Sequence, residues 1–311
     1  CNKIWNAARY VLSNTQSSDL SRETSSKTQN TYDKWIISSL NSTIENVRNS
    51  LTNYRFDLAS NYLYEFIWTD YCDWYLEFSK TILWDDSIHI EEKNLTSATL
   101  ITVLEAILRL LHPFMPFITE EIWQNLSIQT EEPKTIMLQK YPKVSDWKKH
   151  LESEIETKWL QKIISAIRAL RSEMNVNPGK QIAILIRESK AKEKIRIKPH
   201  QEQLKRLAKV GSIDWIGVKS ESPPSASAMI DEMEILIPID GIIDKAKELL
   251  RLSKEIKQLR NEILNLEKKL DNTDFVQKAP FNIVENQRNK LIDYKNKLNA
   301  LILHEKKIGN T

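Results

Sequence analysis

The chain holds 311 residues, 41 % of them hydrophobic, with only five glycines and ten prolines, which suits two or three mainly helical units. No stretch approaches about eighteen uninterrupted apolar residues, the length a membrane-spanning helix needs, and the formal net charge is only +3. Two cysteines, Cys1 and Cys72, lack paired spacing and exclude a zinc module or a disulfide framework; Cys72, inside an apolar helical stretch, reads as a small core residue in a reducing cytoplasm.

The sequence opens on Cys1, directly within an amphipathic pattern and without Met, signal or targeting segment, so it reads as a piece of a longer polypeptide. Residues 2–11 are predicted as one helix, followed by a Ser/Thr/Asn/Gln-rich loop over 13–30. Ile36, Leu40, Ile44, Val47 and Leu51 then recur three or four apart, the mark of a helix with one buried stripe. A longer helix is expected over 56–78, carrying Leu63, Phe66, Ile67, Tyr71, Trp74 and Phe78. Another runs through Leu100, Val103, Leu104, Ile107, Leu108 and Leu111; Pro113 stops it and Pro116 opens the next, which holds Ile122 and Trp123. Helices of this length with short links make an antiparallel helical bundle, assigned to residues 1–130.

From 131 to 241 the texture becomes that of a small α+β domain. Ile136-Met137-Leu138 reads as a short strand before Tyr141-Pro142. A helix through Leu160, Ile163, Ile164, Ile167, Leu170 and Met174 is halted by Asn177-Pro178-Gly179. Strands are expected over 182–187 and 213–218, flanking a basic helix around 204–210. One further strand over 229–239 follows the turn at Ser222-Pro223-Pro224-Ser225.

Residues 242–311 hold two heptad stripes. The first is Leu249, Leu252, Ile256, Leu259, Ile263, Leu266 and Leu270; the second is Val284, Gln287, Leu291, Tyr294, Leu298, Leu301, Glu305 and Ile308. The spacer over 271–282 contains Pro280 and is too short for a domain. The helices are therefore expected to fold back as an antiparallel coiled-coil hairpin, a rod about 40 Å long at 1.5 Å per residue. From Ile242 onward there are 15 Lys/Arg against 10 Asp/Glu, more positive than the whole chain at +3. A solvated coiled-coil face and a surface for a phosphate backbone both fit this excess.

No catalytic constellation stands out. Gly179, Gly211, Gly217, Gly241 and Gly309 are isolated, so no glycine-rich turn cradles phosphates. His89, His112, His150, His200 and His304 show no metal-ligand spacing. His112, before Pro113, is expected to bond the last free carbonyls of its helix. Glu120 and Glu121 suit the positive end of the helix after Pro116, and Asp70 and Asp73 form a polar edge on a packed face. The opening helix differs. Lys3, Asn6 and Arg9 recur every three residues with Tyr10 beside them, while Ile4, Ala7, Ala8 and Val11 face away. Such a strip is either ordinary solvated surface or a single-stranded RNA site. In the second case the cations hold phosphates, Asn6 bonds a base edge and Tyr10 stacks a base for about 1–3 kcal/mol.

The stretch Cys1-Asn2-Lys3-Ile4-Trp5-Asn6-Ala7-Ala8-Arg9-Tyr10 resembles the start of the anticodon-binding helical domain of the valyl-tRNA synthetase family, a class I bundle. Leu111-His112-Pro113-Phe114-Met115-Pro116-Phe117-Ile118-Thr119-Glu120-Glu121-Ile122-Trp123 is similar to its last helices. Arg171-Ser172-Glu173-Met174-Asn175-Val176 and Pro178-Gly179-Lys180 resemble the valyl-specific segment beyond the bundle. Phe275-Val276-Gln277-Lys278-Ala279-Pro280, then Val284-Glu285 and Arg288-Asn289-Lys290-Leu291, are similar to the hairpin tip of the family's C-terminal arm. The cysteine-based zinc module common at the end of isoleucyl enzymes is not encoded.

The resemblance implies the tRNA-reading C-terminal third of an enzyme that activates valine with ATP, loads it on tRNA and hydrolyses mischarged product. Those steps, with ATP and Mg, belong to a nucleotide-binding core and an editing insertion whose signatures this sequence lacks. The chain is expected to need no cofactor or metal and to charge nothing alone. By the same resemblance Lys3, Asn6, Arg9 and Tyr10 face the anticodon loop, and Arg288 contacts the tRNA elbow. Arg251, Lys257 and Lys290 are added to the elbow set on charge alone. The implied partner is tRNA(Val), for a cytoplasmic monomer without membrane contact. Two other classes compete: a non-catalytic coiled-coil association module, against which each helix already has a partner, and an autonomous enzyme, for which no base, nucleophile or metal ligand set is present.

Overall fold

The apolar periodicities become helices. The computed structural model describes residues 2–15, 22–126, 135–187, 192–217, 220–239, 245–271 and 281–309. It is mostly helical, with one small mixed sheet, and divides into two compact units. One is Cys1–Arg168 with Lys190–Val210; the other is Ala169–Ser189 with Gly211–Thr311.

In the first unit, α1 (Asn2–Asn14) buries Ile4, Ala7, Ala8 and Val11, the expected apolar side. After the short α2 (Arg22–Ser26), Asn30 caps α3 (Thr31–Thr52) by accepting the amides of Tyr32 and Asp33. Ile36, Leu40, Ile44 and Val47 of α3 are fully buried, and Leu51 is half-buried.

The single helix expected over 56–78 is three pieces: α4 (Phe56–Glu65), a π-helical stretch (Phe66–Tyr75) and α5 (Leu76–Leu83). The i→i+5 bonding of a π-helix widens the turn, so residues four and five apart share a face. That lets Phe66, Ile67, Tyr71 and Tyr75 all point inward, none more than 2 % exposed. The two tyrosine hydroxyls do not go unpaired there. Tyr71 donates to the Leu100 carbonyl at 2.9 Å, and Tyr75 donates to Asp33 at 2.8 Å.

Around these packs α6 (Ile90–Leu111), buried on all sides from Thr96 to Leu111. By length and composition it could cross a membrane, but 89 % of that window is packed inside the fold, which makes it the core helix of the bundle. Its Thr99 and Thr102 hydroxyls donate back to the Leu95 and Ala98 carbonyls, which satisfies them without water. Pro116 opens α7 (Pro116–Gln124) as expected. His112 does not bond the last carbonyls of α6. The chain turns so tightly at Pro113 that its Nδ1 meets the Thr119 hydroxyl of α7 at 2.7 Å instead.

Residues 136–138 are a 3₁₀ turn (Ile136–Leu138), not the expected strand. Its start is tied to Glu120, whose carboxylate accepts from the Thr135 hydroxyl at 2.8 Å and the Ile136 amide at 3.2 Å, and the Thr135 side chain caps the turn. The helix expected through Leu160 is α8 (Leu151–Glu173), and Leu160, Ile163, Ile164, Ile167, Leu170 and Met174 are buried. The first unit also takes in α9 (Lys192–Ile197) and α10 (Gln201–Ala208). Buried His200, between them, bonds Tyr32 at 2.6 Å and Glu156 at 2.9 Å.

The second unit holds β1 (Ile182–Arg187), β2 (Val210–Ile216), β3 (Ser225–Ile230) and β4 (Met233–Pro238), in the order β2-β1-β4-β3. Lys209, in the left-handed conformation at φ 54°, ends α10 one residue before β2. That is why the strand starts earlier than the expected residue 213. The single strand expected over 229–239 is a hairpin, with Ile230 paired to Met233. Asp231 supplies the positive φ of the turn, 52°, as Asp tolerates without glycine. Arg187 and Glu234 face each other in register on β1 and β4 and form an ion pair at 2.5 Å.

The last two helices are α11 (Lys245–Asp271) and α12 (Phe281–Gly309), which lie against each other. Ile256, Leu259, Ile263 and Val284 of the heptad stripes are buried. Leu266, Leu270, Gln287, Leu291, Tyr294, Leu298 and Leu301 are partly so. Leu264 and Ile292, apolar but off the stripes, are 50 % and 56 % exposed. The side chains of Leu249, Leu252, Glu305 and Ile308 and the spacer over 272–280 lie outside the described residues.

Candidate nucleic-acid interface

The polar side of α1 is not one straight row. Steps of three residues fall short of a full turn by about 60° each, so Lys3 and Arg9 sit about 120° apart around the axis. Lys3 turns back onto the π-helical stretch. Its Nζ donates to Asp73 at 2.6 Å and to the Trp68 carbonyl at 3.2 Å. Its charge is thus already partnered, unlike the free cation the spacing suggests. Asn6 and Arg9 remain exposed.

Tyr10 sits between two depressions. One, of about 350 Å³, is lined by Asn6, Arg9, Tyr10, Ser13 and Asn14. The other, of about 220 Å³, is shared with Lys3, Cys72, Leu76, Glu77 and Lys80. The Tyr10 hydroxyl is held by Ser79 at 3.0 Å. Burial pushes that phenol up to about 12, against the opposing pull of the Ser79 bond, so the ring stays neutral. Its hydroxyl therefore serves the protein's own packing.

Sequence spacing did not reveal who shares this surface. Trp84, just after α5, stands edge-on to Tyr10, centroids 6.4 Å apart. Lys80 lies 5.5 Å from the Tyr10 centroid and 5.7 Å from that of Trp84. Nothing in the spacing around residue 10 marks Trp84 or Lys80 as its neighbours. Cys72 is half-buried beside this surface and not in the core. Burial pushes its thiol up to about 11, with nearby Lys3 pulling the other way, so it is not a ready nucleophile. Asp70 bonds Ser39 at 2.5 Å. Among the described residues no group of three His, Cys, Asp or Glu is placed to hold a metal.

On the last two helices Lys257, Arg288 and Lys290 are exposed. Lys290 lies 5.3 Å from the Tyr294 ring centroid. The Arg251 side chain is outside the described residues.

The family model for the anticodon-binding domain of tRNA ligase matches residues 33–186. That for the valyl tRNA synthetase tRNA binding arm matches residues 244–308. The chain belongs to the valyl-tRNA synthetase family. It is 43 % identical to a valine–tRNA ligase of Legionella pneumophila (strain Lens) over 309 residues, covering 99 % of this chain and 34 % of that protein. A Coxiella burnetii valine–tRNA ligase is 41 % identical over 302 residues, 97 % of this chain and 33 % of that protein. The chain thus spans about a third of the length of the curated relatives it matches. In this chain α1 precedes the matched anticodon-binding stretch, while the relatives' alignments extend across nearly all of it.

Proposed function

We propose that this chain is the tRNA-binding C-terminal portion of a valine–tRNA ligase and grips tRNA(Val) at two places. The observation that carries the reading is the pairing of an anticodon-binding domain with a tRNA-binding arm in one chain. Asn6, Arg9 and Tyr10 on α1 face the anticodon loop, with Lys3 at its edge already paired to Asp73. Unpaired bases there stack on the aromatic ring while Arg9 meets phosphate.

The arm is an antiparallel coiled-coil hairpin of α11 and α12. Burial along both stripes, exposure of Leu264 and Ile292, and the 2.7 Å ion pair between Lys295 and Glu267 support it. Arg251, Lys257, Arg288 and Lys290 on that rod meet the phosphates of the tRNA elbow. The working division is bundle 1–130, small α+β domain 131–241 and arm 242–311. The packing of α11 on α12 within one chain supports a monomer, and tRNA as partner supports a cytoplasmic place of work. Valine activation with ATP and Mg, and editing, are the work of the remaining length that the relatives possess.

Substitution separates the two contacts. Asn6→Ala, which removes the base-edge contact, should reduce the preference for tRNA(Val) over tRNAs with other anticodons by about five- to tenfold. Arg288→Ala should weaken all elbow-competent tRNAs alike by a few-fold, because phosphate contacts carry no sequence information. Filter binding against a panel of tRNAs reads both, and identical selectivity profiles for the two classes would refute the division of labour.

A further inference from the structure

Trp84 is 56 % exposed, unusual for the side chain with the most apolar surface to hide. It is nonetheless fastened. Its backbone amide bonds the Lys80 carbonyl at 3.2 Å, and its indole Nε1–H donates to Asn14 Oδ1 at 3.3 Å. Asn14 in turn donates to the Tyr10 carbonyl at 2.7 Å. The polar edge of the indole is therefore satisfied by α1 itself, while more than half of its surface is left to solvent. Its plane lies at 70° to that of Tyr10, so no single continuous stack can cover both rings. Lys80, paired to Glu77, sits within 6 Å of both ring centroids.

We propose that Trp84 is a second stacking plane for an unpaired RNA base, so that two loop nucleotides are held splayed, one on Tyr10 and one on Trp84. The inference rests on the reading of α1 as an RNA interface. The strand must bend between the two rings, and Lys80 lies where the linking phosphate passes, placing positive charge beneath it. Asn14 is a positioning residue: it sets the angle of the indole and touches no nucleotide.

The test uses the full chain and a fluorescent anticodon stem–loop RNA of tRNA(Val), with each loop nucleotide made abasic in turn and affinity read by anisotropy. Trp84→Ala should weaken binding about tenfold and Trp84→Phe less than about threefold, within the range of one base–aromatic stack. One abasic position should erase the Trp84→Ala effect, and a different one should erase that of Tyr10→Ala. A half-exposed side chain serving structure alone would show the same loss at every abasic position, and that result overturns the inference. So does a Trp84→Ala chain that binds like wild type, or a single nucleotide that silences both variants. A wild-type chain that ignores the stem–loop overturns the interface itself.

Discussion

Raising monovalent salt from 50 to 200 mM should weaken tRNA(Val) binding by about 10²–10³-fold if four to six phosphates are neutralised, since each releases its condensed counterion. The cations are distributed for it. Arg9 stands exposed on α1, and Lys257, Arg288 and Lys290 on the last two helices. Lysines held by carboxylates contribute less: Lys3 is occupied by Asp73, Lys80 is shared with Glu77 and Lys295 is occupied by Glu267. The experiment also separates the two readings of the basic tail. Replacing Lys257, Arg288 and Lys290 together by Gln should flatten the plot of log affinity against log salt by about 2–3. If the tail were only a solvated coiled-coil face, the triple variant would keep the wild-type slope.

The sequence announced whatever repeats locally. The heptads of the last seventy or so residues and the 3.6-residue stripe on α3 each depend on neighbours in the chain, so spacing alone locates them. What it could not supply was distance across the fold. Lys3 shares a spacing with Asn6 and Arg9, yet Asp73 claims it. Tyr10 is positioned by Ser79 and Trp84 from another helix, and no pattern around residue 10 marks that. Local chemistry misled in two places. The β3–β4 turn places Asp231 where glycine is the usual signal, and the aromatic run over 66–75 hides a π-helical widening that hydrophobic periodicity does not report.

Asp33 was the deepest of these hidden features, and its removal should have the largest effect on stability. In sequence it is an ordinary acid in the first turn of α3, where the helix dipole favours it. In the fold it is fully buried and receives three hydroxyls: Thr28 and Thr96, each at 2.9 Å, and Tyr75 at 2.8 Å. It joins the start of α3 to the π-helical stretch and to α6. Asp33→Ala would leave three donors facing a void, and by analogy with broken buried charge networks should cost about 3–5 kcal/mol in urea unfolding at pH 7. A cost under about 1 kcal/mol would show that the hydroxyls find other acceptors.

The carboxyl also imposes a pH dependence. Burial raises it to about 6 from an ordinary 3.8, the three hydroxyl bonds resisting and Glu92 adding to the rise. Between those values the folded chain binds a proton that the unfolded chain has released. The part of the stability carried by that proton is therefore fully present below about pH 3.8 and is lost as pH rises through about 6, leaving at pH 7 what the three hydroxyl bonds to the carboxylate supply. One of the three hydroxyls must reverse its role when that proton binds, because the protonated acid becomes a donor. Asp33→Asn, which cannot titrate, should lack this slope. The difference in unfolding free energy between wild type and Asp33→Asn should change by on the order of 2 kcal/mol between pH 4 and 7, with wild type relatively more stable at the acidic end. Parallel stability curves for the two proteins across that range would mean that Asp33 keeps an unshifted carboxylate despite its burial.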